Sequence, residues 1–329
     1  MTAVVILTTG GTIASRPDPD AGGVRAVVSG AELAKIASDM VPGVEVRVDE
    51  VLRTGGYLMN QQLMLQLAER CREHALSPDV AGIVVTHGTD TMEESAYLVD
   101  LLYGADKPVV FTGAQRNAAD SDGDGPRNLR NAVRIAVDPQ AEGIGAVICM
   151  DGRVDGARHG TKVDTIAVRA FGSPGHGQVG EVTDQRVAIF HRRVRPRQFV
   201  DVHALPDRVD IVKLYAGIDG AFLRAAREAG ARGVVLEAFG LGNANLEILQ
   251  EVSEAIAAGV IVLVCSRCHQ GFVWPTYSNG GGYDLAKAGA IFGGNLKATK
   301  ARLLLLAALA SAGSQTEALP QLLEPHLCL

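Results

Sequence analysis

Short apolar runs rich in Val and Ile alternate with longer segments of helical periodicity along most of the chain. Such runs are typical of buried parallel strands, and the longer segments are typical of the helices that connect them. The pattern therefore predicts an α/β fold. In the first half of the chain, the predicted strands are 3–7, 44–48, 82–86, 108–112 and 146–150, and the predicted helices are 29–39, 60–74 and 91–103.

This alternation stops near residue 191 and starts again near residue 210. The segment between, 191–208, is rich in Arg and Pro and shows no clear periodicity, which is typical of a linker. The chain has 329 residues, enough for about two domains. We therefore predict an N-terminal domain over 1–190, a linker over 191–208 and a C-terminal α/β domain over 209–329, whose final helix is 296–312.

The first predicted strand runs into paired glycines and a hydroxyl residue, in the stretch Leu7-Thr8-Thr9-Gly10-Gly11-Thr12-Ile13-Ala14-Ser15. Paired glycines let the backbone turn sharply and leave room for a ligand, because they carry no Cβ. Thr12 would then lie just beyond the carboxyl end of a strand, where open α/β sheets bind their ligands. For the glycine pair alone, an ordinary turn between a strand and a helix is an equally good interpretation.

A second stretch repeats the order of strand, glycine, hydroxyl residue and helix start: Gly82-Ile83-Val84-Val85-Thr86-His87-Gly88-Thr89-Asp90-Thr91-Met92-Glu93-Glu94. Its carboxylates would lie near the first helical turn, where they complement the helix dipole. Together the two stretches resemble the paired signatures of the bacterial L-asparaginase/glutaminase family. In that family TGGT carries the nucleophilic threonine, here Thr12, and HGTDTMEE carries a second threonine and an aspartate, here Thr89 and Asp90.

The resemblance covers essentially the whole chain. It implies an α/β protein with a larger doubly wound N-terminal catalytic domain and a smaller α/β C-terminal domain. It also implies a homotetramer or homodimer with shared active sites, in which Asn245 reaches the neighbouring subunit's site. The catalytic residues implied are Thr12, Thr89, Asp90 and Lys162, and the substrate-binding residues are Gly11, Gly56, Tyr57, Gly88, Ala114 and Asn245.

The activity that the resemblance implies is hydrolysis of L-asparagine to L-aspartate and ammonia. We hypothesise that Thr12 attacks the side-chain amide carbon and forms an acyl-enzyme. Backbone N–H groups around Gly88 and Thr89 would stabilise the oxyanion. Lys162 and Asp90 would tune Thr89, which activates either Thr12 or the deacylating water. This chemistry needs neither a metal nor another cofactor, and its partner is a small amide.

Three features depart from the family. The stretch 16–23, rich in Pro, Asp and Gly, is interpreted as a mobile loop that serves as a lid, but it lacks the family's tyrosine. Gly56 stands where the family has a serine that helps to hold the substrate's α-carboxylate. The run Gly280–Gly282 lacks the glutamate that many asparaginases supply to a partner's site. These departures leave open the activating group of Thr12 and the preference among asparagine, glutamine and other amides.

Three alternatives therefore stay open. The first is a related threonine amidohydrolase that acts on glutamine or another small amide. The second is a subunit resembling the ammonia-generating half of archaeal tRNA-dependent amidotransferases, but those carry an extra domain before the TGGT motif. The third is a non-catalytic amino-acid sensor on the same fold. The complete set of Thr12, Thr89, Asp90 and Lys162 argues against a sensor, because a pure binder does not need both hydroxyls and the lysine.

Charge and cysteine content narrow the classes of partner. The net charge is −6, and basic residues are scattered apart from the cluster 191–197, which is interpreted as a solvated segment, so no nucleic-acid partner is predicted. No apolar run approaches the length that spans a bilayer, so no membrane association is predicted. The five cysteines are odd in number and dispersed, and no signal peptide is evident, which predicts a cytoplasmic protein. Cys265 and Cys268 have metal-site spacing, but no second pair completes a ligand set, so no metal is predicted.

Overall fold

The computed structural model describes residues 3–18, 23–26, 29–206 and 208–327. The chain divides into two compact units, Met1–Val200 and Asp201–Leu329. Each unit combines a sheet with helices, which confirms the predicted two-domain α/β class. The finer division into 1–190, a linker over 191–208 and 209–329 stays a prediction.

A large mixed sheet organises the first unit. Its strands are β1 (Ala3–Gly10), β4 (Glu45–Thr54), β5 (Val80–Thr86), β6 (Val109–Thr112), β7 (Ala146–Met150), β8 (Arg153–Gly156), β11 (Gly180–Val182) and β12 (Val187–Ile189). Across the described residues, their order in space is β12-β11-β8-β7-β6-β5-β1-β4. The strands from β4 to β7 pair in parallel, and β8, β11 and β12 extend the sheet in antiparallel pairing.

The order of the parallel strands fixes where a ligand crevice opens. β1 pairs with β4 on one side and with β5 on the other, so the strand order of the sheet reverses at β1. In doubly wound sheets the crevice lies outside the carboxyl ends of the strands at this switch point. The residues that follow β1 and β5 are those of the two glycine-containing stretches.

Four helices cover the two faces of this sheet: α1 (Gly30–Met40), α2 (Gln61–Ala75), α3 (Met92–Leu102) and α4 (Gly125–Val137). α1 and α4 pack together over one face, where Leu33 and Leu129 meet Val4 and Ile6 of β1. α2 and α3 pack together on the other face. Ser29 caps α1 by accepting the backbone N–H of Glu32 at 3.2 Å, as the sequence predicts. This arrangement confirms the doubly wound larger domain.

The stretch interpreted as a loop after Thr12 contains two short strands. β2 (Ser15–Asp18) pairs antiparallel with β3 (Gly23–Ala26), so the prediction of a loop is wrong for 16–18 and for residue 23. A second short pair follows later in the unit, between β9 (Thr161–Lys162) and β10 (Phe171–Gly172). The tip of the first hairpin, 19–22, lies outside the described residues.

The basic cluster at 191–197 is not uniformly solvated. The guanidinium of Arg193 lies 2.8 Å from Oδ2 of Asp100 in α3, and that of Arg195 lies 3.2 Å from Oδ1 of the same carboxylate. Asp100 is buried, and a buried carboxylate is tolerated only when it is paired. The interpretation of the cluster as solvated is therefore wrong for these two arginines.

The second unit is built on a four-stranded parallel sheet in sequential order across its described residues: β13 (Val209–Lys213), β14 (Gly233–Ala238), β15 (Ile261–Ser266) and β16 (Ile291–Phe292). Its helices are α5 (Ala221–Glu228), α6 (Leu246–Ala257), α7 (Gly282–Lys287), α8 (Ala298–Ala312) and α9 (Leu319–Leu327). α5 and α6 pack on each other, and α8 contacts three of the strands. This is the predicted smaller α/β domain.

α9 shows that 296–312 is not the final helix. Pro320 and Pro325 argue against a helix in the sequence, but Pro320 lies in the first turn, where no N–H partner is lost. Leu319, Leu323 and Leu327 recur at helical spacing and are buried. Packing of this apolar face outweighs the single proline inside the helix. Of the helices in the described part of the chain, none is long and apolar enough to cross a lipid bilayer.

Candidate active site

β1 ends in a left-handed turn at two glycines. The backbone angle φ is +104° at Gly10 and +83° at Gly11, in the region that residues with a Cβ avoid. A Cβ on Gly10 would also lie 2.5 Å from the backbone oxygen of Thr54 at the end of β4. The turn leads into a short 3₁₀ helix, so Thr12 lies just beyond the carboxyl end of β1.

Three glycines from three segments lie in backbone contact. A Cβ on Gly11 would lie 2.5 Å from the backbone nitrogen of Gly88, and a Cβ on Gly88 would lie 2.6 Å from that of Gly56. A Cβ on Gly56 would lie 3.0 Å from the carbonyl carbon of Gly88. Interiors are too closely packed to absorb such contacts without movement. The absence of side chains at these positions therefore lets the segments after β1, β4 and β5 converge.

A cavity of about 510 Å³ opens at this convergence. It brings together all four residues predicted to be catalytic and four of the six predicted to bind substrate. It also includes residues that sequence reasoning did not select. The lining residues are Gly11, Thr12, Arg53, Thr54, Gly55, Gly56, Tyr57, Leu58, Gly88, Thr89, Asp90, Gln115 and Lys162.

Lys162 links two of the predicted catalytic residues. Its Nζ donates to Oγ1 of Thr89 at 2.9 Å and to Oδ1 of Asp90 at 2.8 Å. Its side chain is mostly buried, whereas the side chain of Asp90 is largely exposed to the cavity. The lysine therefore forms an ion pair with Asp90 and in this state acts as a hydrogen-bond donor to Thr89.

Gln115 determines where the Thr89 hydroxyl directs its proton. Oγ1 of Thr89 donates to Oε1 of Gln115 at 3.0 Å, and the amide nitrogen of Gln115 donates to the carbonyl oxygen of Ala167 at 3.3 Å. Since a hydroxyl has one proton, Thr89 donates to Gln115 while it accepts from Lys162. Sequence reasoning missed this residue, although it lies three positions beyond the predicted strand 108–112, in the kind of turn that often carries site residues in α/β sheets.

Asp124 holds the backbone on which Gln115 sits. Its carboxylate accepts the backbone N–H of Gln115 at 3.1 Å and that of Arg116 at 3.0 Å. The amide nitrogen of Asn128 donates to the same carboxylate at 3.0 Å and to the carbonyl oxygen of Gly113 at 3.0 Å. The start of α4 thus fixes the turn after β6, and with it the side chain that contacts Thr89.

Glu93 is a second residue whose contact with the site sequence reasoning missed. The sequence assigned it only to stabilisation of the helix start. Oε2 of Glu93 accepts the backbone N–H of Lys162 at 2.6 Å and also accepts the hydroxyl of Thr161. The first turn of α3 therefore binds the short strand that carries the lysine. The only signal in the sequence is the closeness of Glu93 to Thr89 and Asp90 along the chain.

His87 is buried directly beneath the glycine contact. Its Nδ1 lies 2.8 Å from the carbonyl oxygen of Gly88, and its Nε2 lies 2.9 Å from the hydroxyl of Ser95. These contacts match a neutral imidazole that donates from Nδ1 and accepts at Nε2. Burial lowers the pKa of His87 from 6.5 to about 4, because the charged form loses its hydration.

Two of the predicted substrate-binding residues lie elsewhere. Ala114 is 1% exposed and lines a separate cavity of about 220 Å³ with Ile13 and Leu129. Asn245, in the second unit, caps α6: its Oδ1 accepts the backbone N–H of Ile248 at 2.8 Å. Tyr57, in contrast, lines the Thr12 cavity and is 76% exposed. The binding roles of Ala114 and Asn245 stay predictions.

Comparison with known protein families decides the classification. The model of the asparaginase N-terminal domain matches residues 3–195, and the model of the glutaminase/asparaginase C-terminal domain matches residues 208–323. The chain belongs to the asparaginase family. This confirms the family that the two threonine motifs resemble, and with it the predicted class of enzyme, an amidohydrolase.

Individual relatives of this asparaginase-family protein match over nearly their full length. An L-asparaginase of Bacillus licheniformis is 35% identical over 94% of this chain and 95% of the relative. A probable L-asparaginase of Deinococcus radiodurans is 37% identical over 92% of this chain and 91% of the relative. The crystal structure of a probable cytoplasmic L-asparaginase from Campylobacter jejuni superposes with a TM-score of 0.87 at 29% identity, covering 98% of this chain and 99% of that chain.

Proposed function

We propose that this protein is an L-asparaginase, which hydrolyses L-asparagine to L-aspartate and ammonia. The observation that carries the proposal is the pair of hydrogen bonds from Lys162 to Thr89 and Asp90, in a cavity that Thr12 also lines. The relatives named as L-asparaginases support the choice of substrate. The geometry of the cavity supports the class of reaction, which is hydrolysis of an amide.

In the proposed first half-reaction, Thr12 is the nucleophile. Its Oγ forms a bond to the side-chain amide carbon, the hydroxyl proton passes to the leaving nitrogen, and the carbon–nitrogen bond breaks to release ammonia. Backbone N–H groups of the converging turns around Gly11 and Gly88 stabilise the oxyanion. The product of this step is an ester between Thr12 and the aspartyl group.

In the second half-reaction, water attacks the carbonyl carbon of this ester, the bond from that carbon to Oγ of Thr12 breaks, and Oγ regains a proton that the water supplies as L-aspartate leaves. Thr89 lies between a donor, Lys162, and an acceptor, Gln115, so its hydroxyl has a fixed direction. Thr89 passes its proton to Oγ of Thr12 and takes one from the attacking water, and Lys162 stabilises the negative charge that develops on Oγ1 of Thr89 during this exchange. Asp90 compensates the charge of the lysine and leaves its other oxygen for the substrate's ammonium group.

The substrate's α-carboxylate needs a partner because Gly56 offers no hydroxyl. Arg53 lines the cavity and is exposed, with a surface ion pair to Glu50 at 3.3 Å. Surface pairs of this kind are weak, so the guanidinium can exchange Glu50 for a substrate carboxylate at little cost. We assign Arg53 the role of binding the substrate's α-carboxylate. Tyr57 and the backbone of Gly56 line the cavity next to it.

Ammonia release tests the proposal. L-asparagine, L-glutamine and a panel of other small amides are incubated with the wild-type protein and with Thr12→Ala. Turnover of L-asparagine that is lost in Thr12→Ala is the expected result. Thr12-dependent turnover of another amide alone would make the protein a related amidohydrolase. Tight binding of an amino acid without any turnover would make it a sensor.

We also propose a homotetramer or homodimer with shared active sites, to which Asn245 contributes. Light scattering measures the mass, and an active monomer would contradict this arrangement.

A cytoplasmic location is likewise a proposal. Relatives of this chain include a probable cytoplasmic L-asparaginase of Campylobacter jejuni and a probable periplasmic L-asparaginase of Haemophilus influenzae. Fractionation of the source cells decides between the two compartments.

A further inference from the structure

Thr91 occupies the N-cap position of α3, where a threonine side chain ordinarily caps the helix. It does not cap the helix here. Its backbone lies at φ −124° and ψ 13°, outside the extended conformation typical of a capping residue, and its hydroxyl forms no hydrogen bond to the N–H groups of the first turn. The hydroxyl is therefore available to another part of the chain.

The hydroxyl of Thr91 binds the turn that follows β4. Its Oγ1 donates to the carbonyl oxygen of Gly56 at 2.7 Å, across 35 positions of the chain. Gly56 begins a short 3₁₀ helix, Gly56–Leu58, whose residues line the Thr12 cavity. The start of α3 thus holds a wall of the candidate active site.

This hydrogen bond joins two segments that line the cavity, 53–58 and 88–91. Across the residues that the structure describes, no other hydrogen bond connects them. They also pack through their backbones, since a Cβ on Gly56 would lie 3.0 Å from the carbonyl carbon of Gly88. Packing of two glycines sets a distance, whereas a hydrogen bond also sets an orientation.

We propose that Thr91 is a positioning residue for substrate binding, whose hydroxyl holds the turn at 53–58 in the orientation that receives the substrate's α-carboxylate. This role rests on the proposed function, in which Arg53 binds that carboxylate beside the backbone of the same turn. Thr91 is not among the residues that line the cavity. It therefore acts through the turn and not by contact with the substrate.

The hydrogen bond fixes one peptide unit of the cavity wall. The carbonyl oxygen of Gly56 accepts the hydroxyl of Thr91 and also the backbone N–H of Met59 at 3.2 Å, which uses both of its lone pairs. The peptide unit is planar and trans, so the N–H of Tyr57 points opposite to that carbonyl. No group in the described part of the chain accepts this N–H. It can therefore donate to a carboxylate.

The orientation of this turn should affect substrate binding more than the chemical step. Lys162 is held to Thr89 and Asp90 by its own hydrogen bonds, which do not involve Thr91. The α-carboxylate is the end of L-asparagine remote from the amide that reacts. A weaker hold on it raises KM, whereas the contacts around the lysine maintain kcat.

Thr91→Val tests this role, because valine is β-branched like threonine and lacks the hydroxyl. The change should leave the start of α3 intact, since the hydroxyl does not cap it, and Gly56 keeps Met59 as a donor. In steady-state ammonia release we expect KM for L-asparagine to rise about 10-fold, with kcat within about 2-fold of the wild type. The dissociation constant of L-aspartate, measured by isothermal titration, should rise by a similar factor.

Three further variants separate the hydrogen bond from packing. Thr91→Ala also lacks the hydroxyl and should show the same rise in KM, whereas Thr91→Ser keeps it and should bring KM close to the wild-type value. Thr183→Val removes a hydroxyl from another turn of the first unit, where it donates to the carbonyl oxygen of Arg186 at 3.4 Å, and should leave KM and kcat unchanged. Melting curves show that each variant is folded.

The outcomes distinguish this role from the proposed function. An unchanged KM in Thr91→Val and Thr91→Ala, an equal rise of KM in Thr91→Ser, or a fall in kcat without a rise in KM would overturn the role of Thr91 and leave the proposed function intact. A wild-type protein that neither releases ammonia from L-asparagine nor binds L-aspartate would overturn the proposed function, and the role of Thr91 with it.

Discussion

The carboxylate of Glu93 accepts the backbone N–H of Lys162 at 2.6 Å, although 69 positions separate them along the chain. Glu93 lies in the first turn of α3, one turn beyond Thr89 and Asp90. The same carboxylate accepts the hydroxyl of Thr161. A single side chain thus anchors the strand that carries the lysine to the helix that follows the threonine and the aspartate, and so sets the distances among them.

Removing this anchor should impair catalysis more than substrate binding. In Glu93→Ala the strand at 161–162 loses two hydrogen bonds, and Lys162 moves relative to Thr89. Displacement of a catalytic group by about 1 Å costs on the order of 100-fold in rate. We therefore expect kcat to fall on that order while KM changes less, as measured by steady-state ammonia release. Glu247→Ala, which removes an exposed carboxylate from the first turn of α6, is the matched control. An equal loss in both variants would refute an anchoring role.

Gln115 should affect the catalytic rate because it fixes the direction in which the Thr89 hydroxyl points its proton. In Gln115→Leu the Thr89 hydroxyl loses its acceptor, and we expect kcat to fall by about 10-fold to 100-fold, in the range typical of misplaced proton transfer. Gln115→Glu keeps an acceptor oxygen and should retain more activity than the leucine variant. Gln140→Leu, at an exposed position, is the control. If the leucine and glutamate variants were equally active, hydrogen bonding to Thr89 would not be the reason for the effect.

The sequence predicts most of the fold because periodicity and caps are local signals. The α/β alternation and the positions of Thr12 and Thr89 follow from apolar strands that end in glycine turns, whereas the doubly wound order of the sheet is implied only by the family resemblance. Lys162 lies 73 positions from Thr89, and no local pattern connects them, so only the family resemblance indicated its role. The sequence places Glu93 only in the first turn of a helix, whereas the role we predict for it depends on its tertiary contact with 161–162. Contacts of this kind depend on the complete topology.

The contrast between Ala114 and Gln115 illustrates the same limit. Both residues lie in the turn after β6, where Gln115 lines the Thr12 cavity and Ala114 lines the separate cavity of about 220 Å³. The sequence identifies the turn after β6, but the choice between two adjacent residues requires the orientation of the chain.

Replacing Gly56 by the serine that the family has at this position should not raise the kcat/KM or the stability of this protein. A Cβ at residue 56 would lie 3.0 Å from both the carbonyl carbon and the carbonyl oxygen of Gly88, so the turn after β5 must move. We expect Gly56→Ser to lower kcat/KM and to lose about 1–3 kcal/mol of stability, as overpacked sites do. Kinetics and urea unfolding measure the two effects. Gly172→Ala, where the nearest atom would lie 3.7 Å away, is the control. A gain in kcat/KM in Gly56→Ser would contradict the packing argument.

Burial of His87 should make the first unit sensitive to acid. The pKa of His87 is lowered by burial to about 4, below its ordinary value of 6.5, so between these values the unfolded chain binds a proton that the folded chain does not. Stability is therefore complete above pH 6.5 and is lost as the pH falls through 4, by about 3 kcal/mol from this residue. Urea unfolding at pH 7, 5.5 and 4 measures the loss, which His87→Gln should reduce. His269→Gln, at an exposed position, should keep the wild-type slope; an identical slope in both variants would show that other groups carry the acid sensitivity.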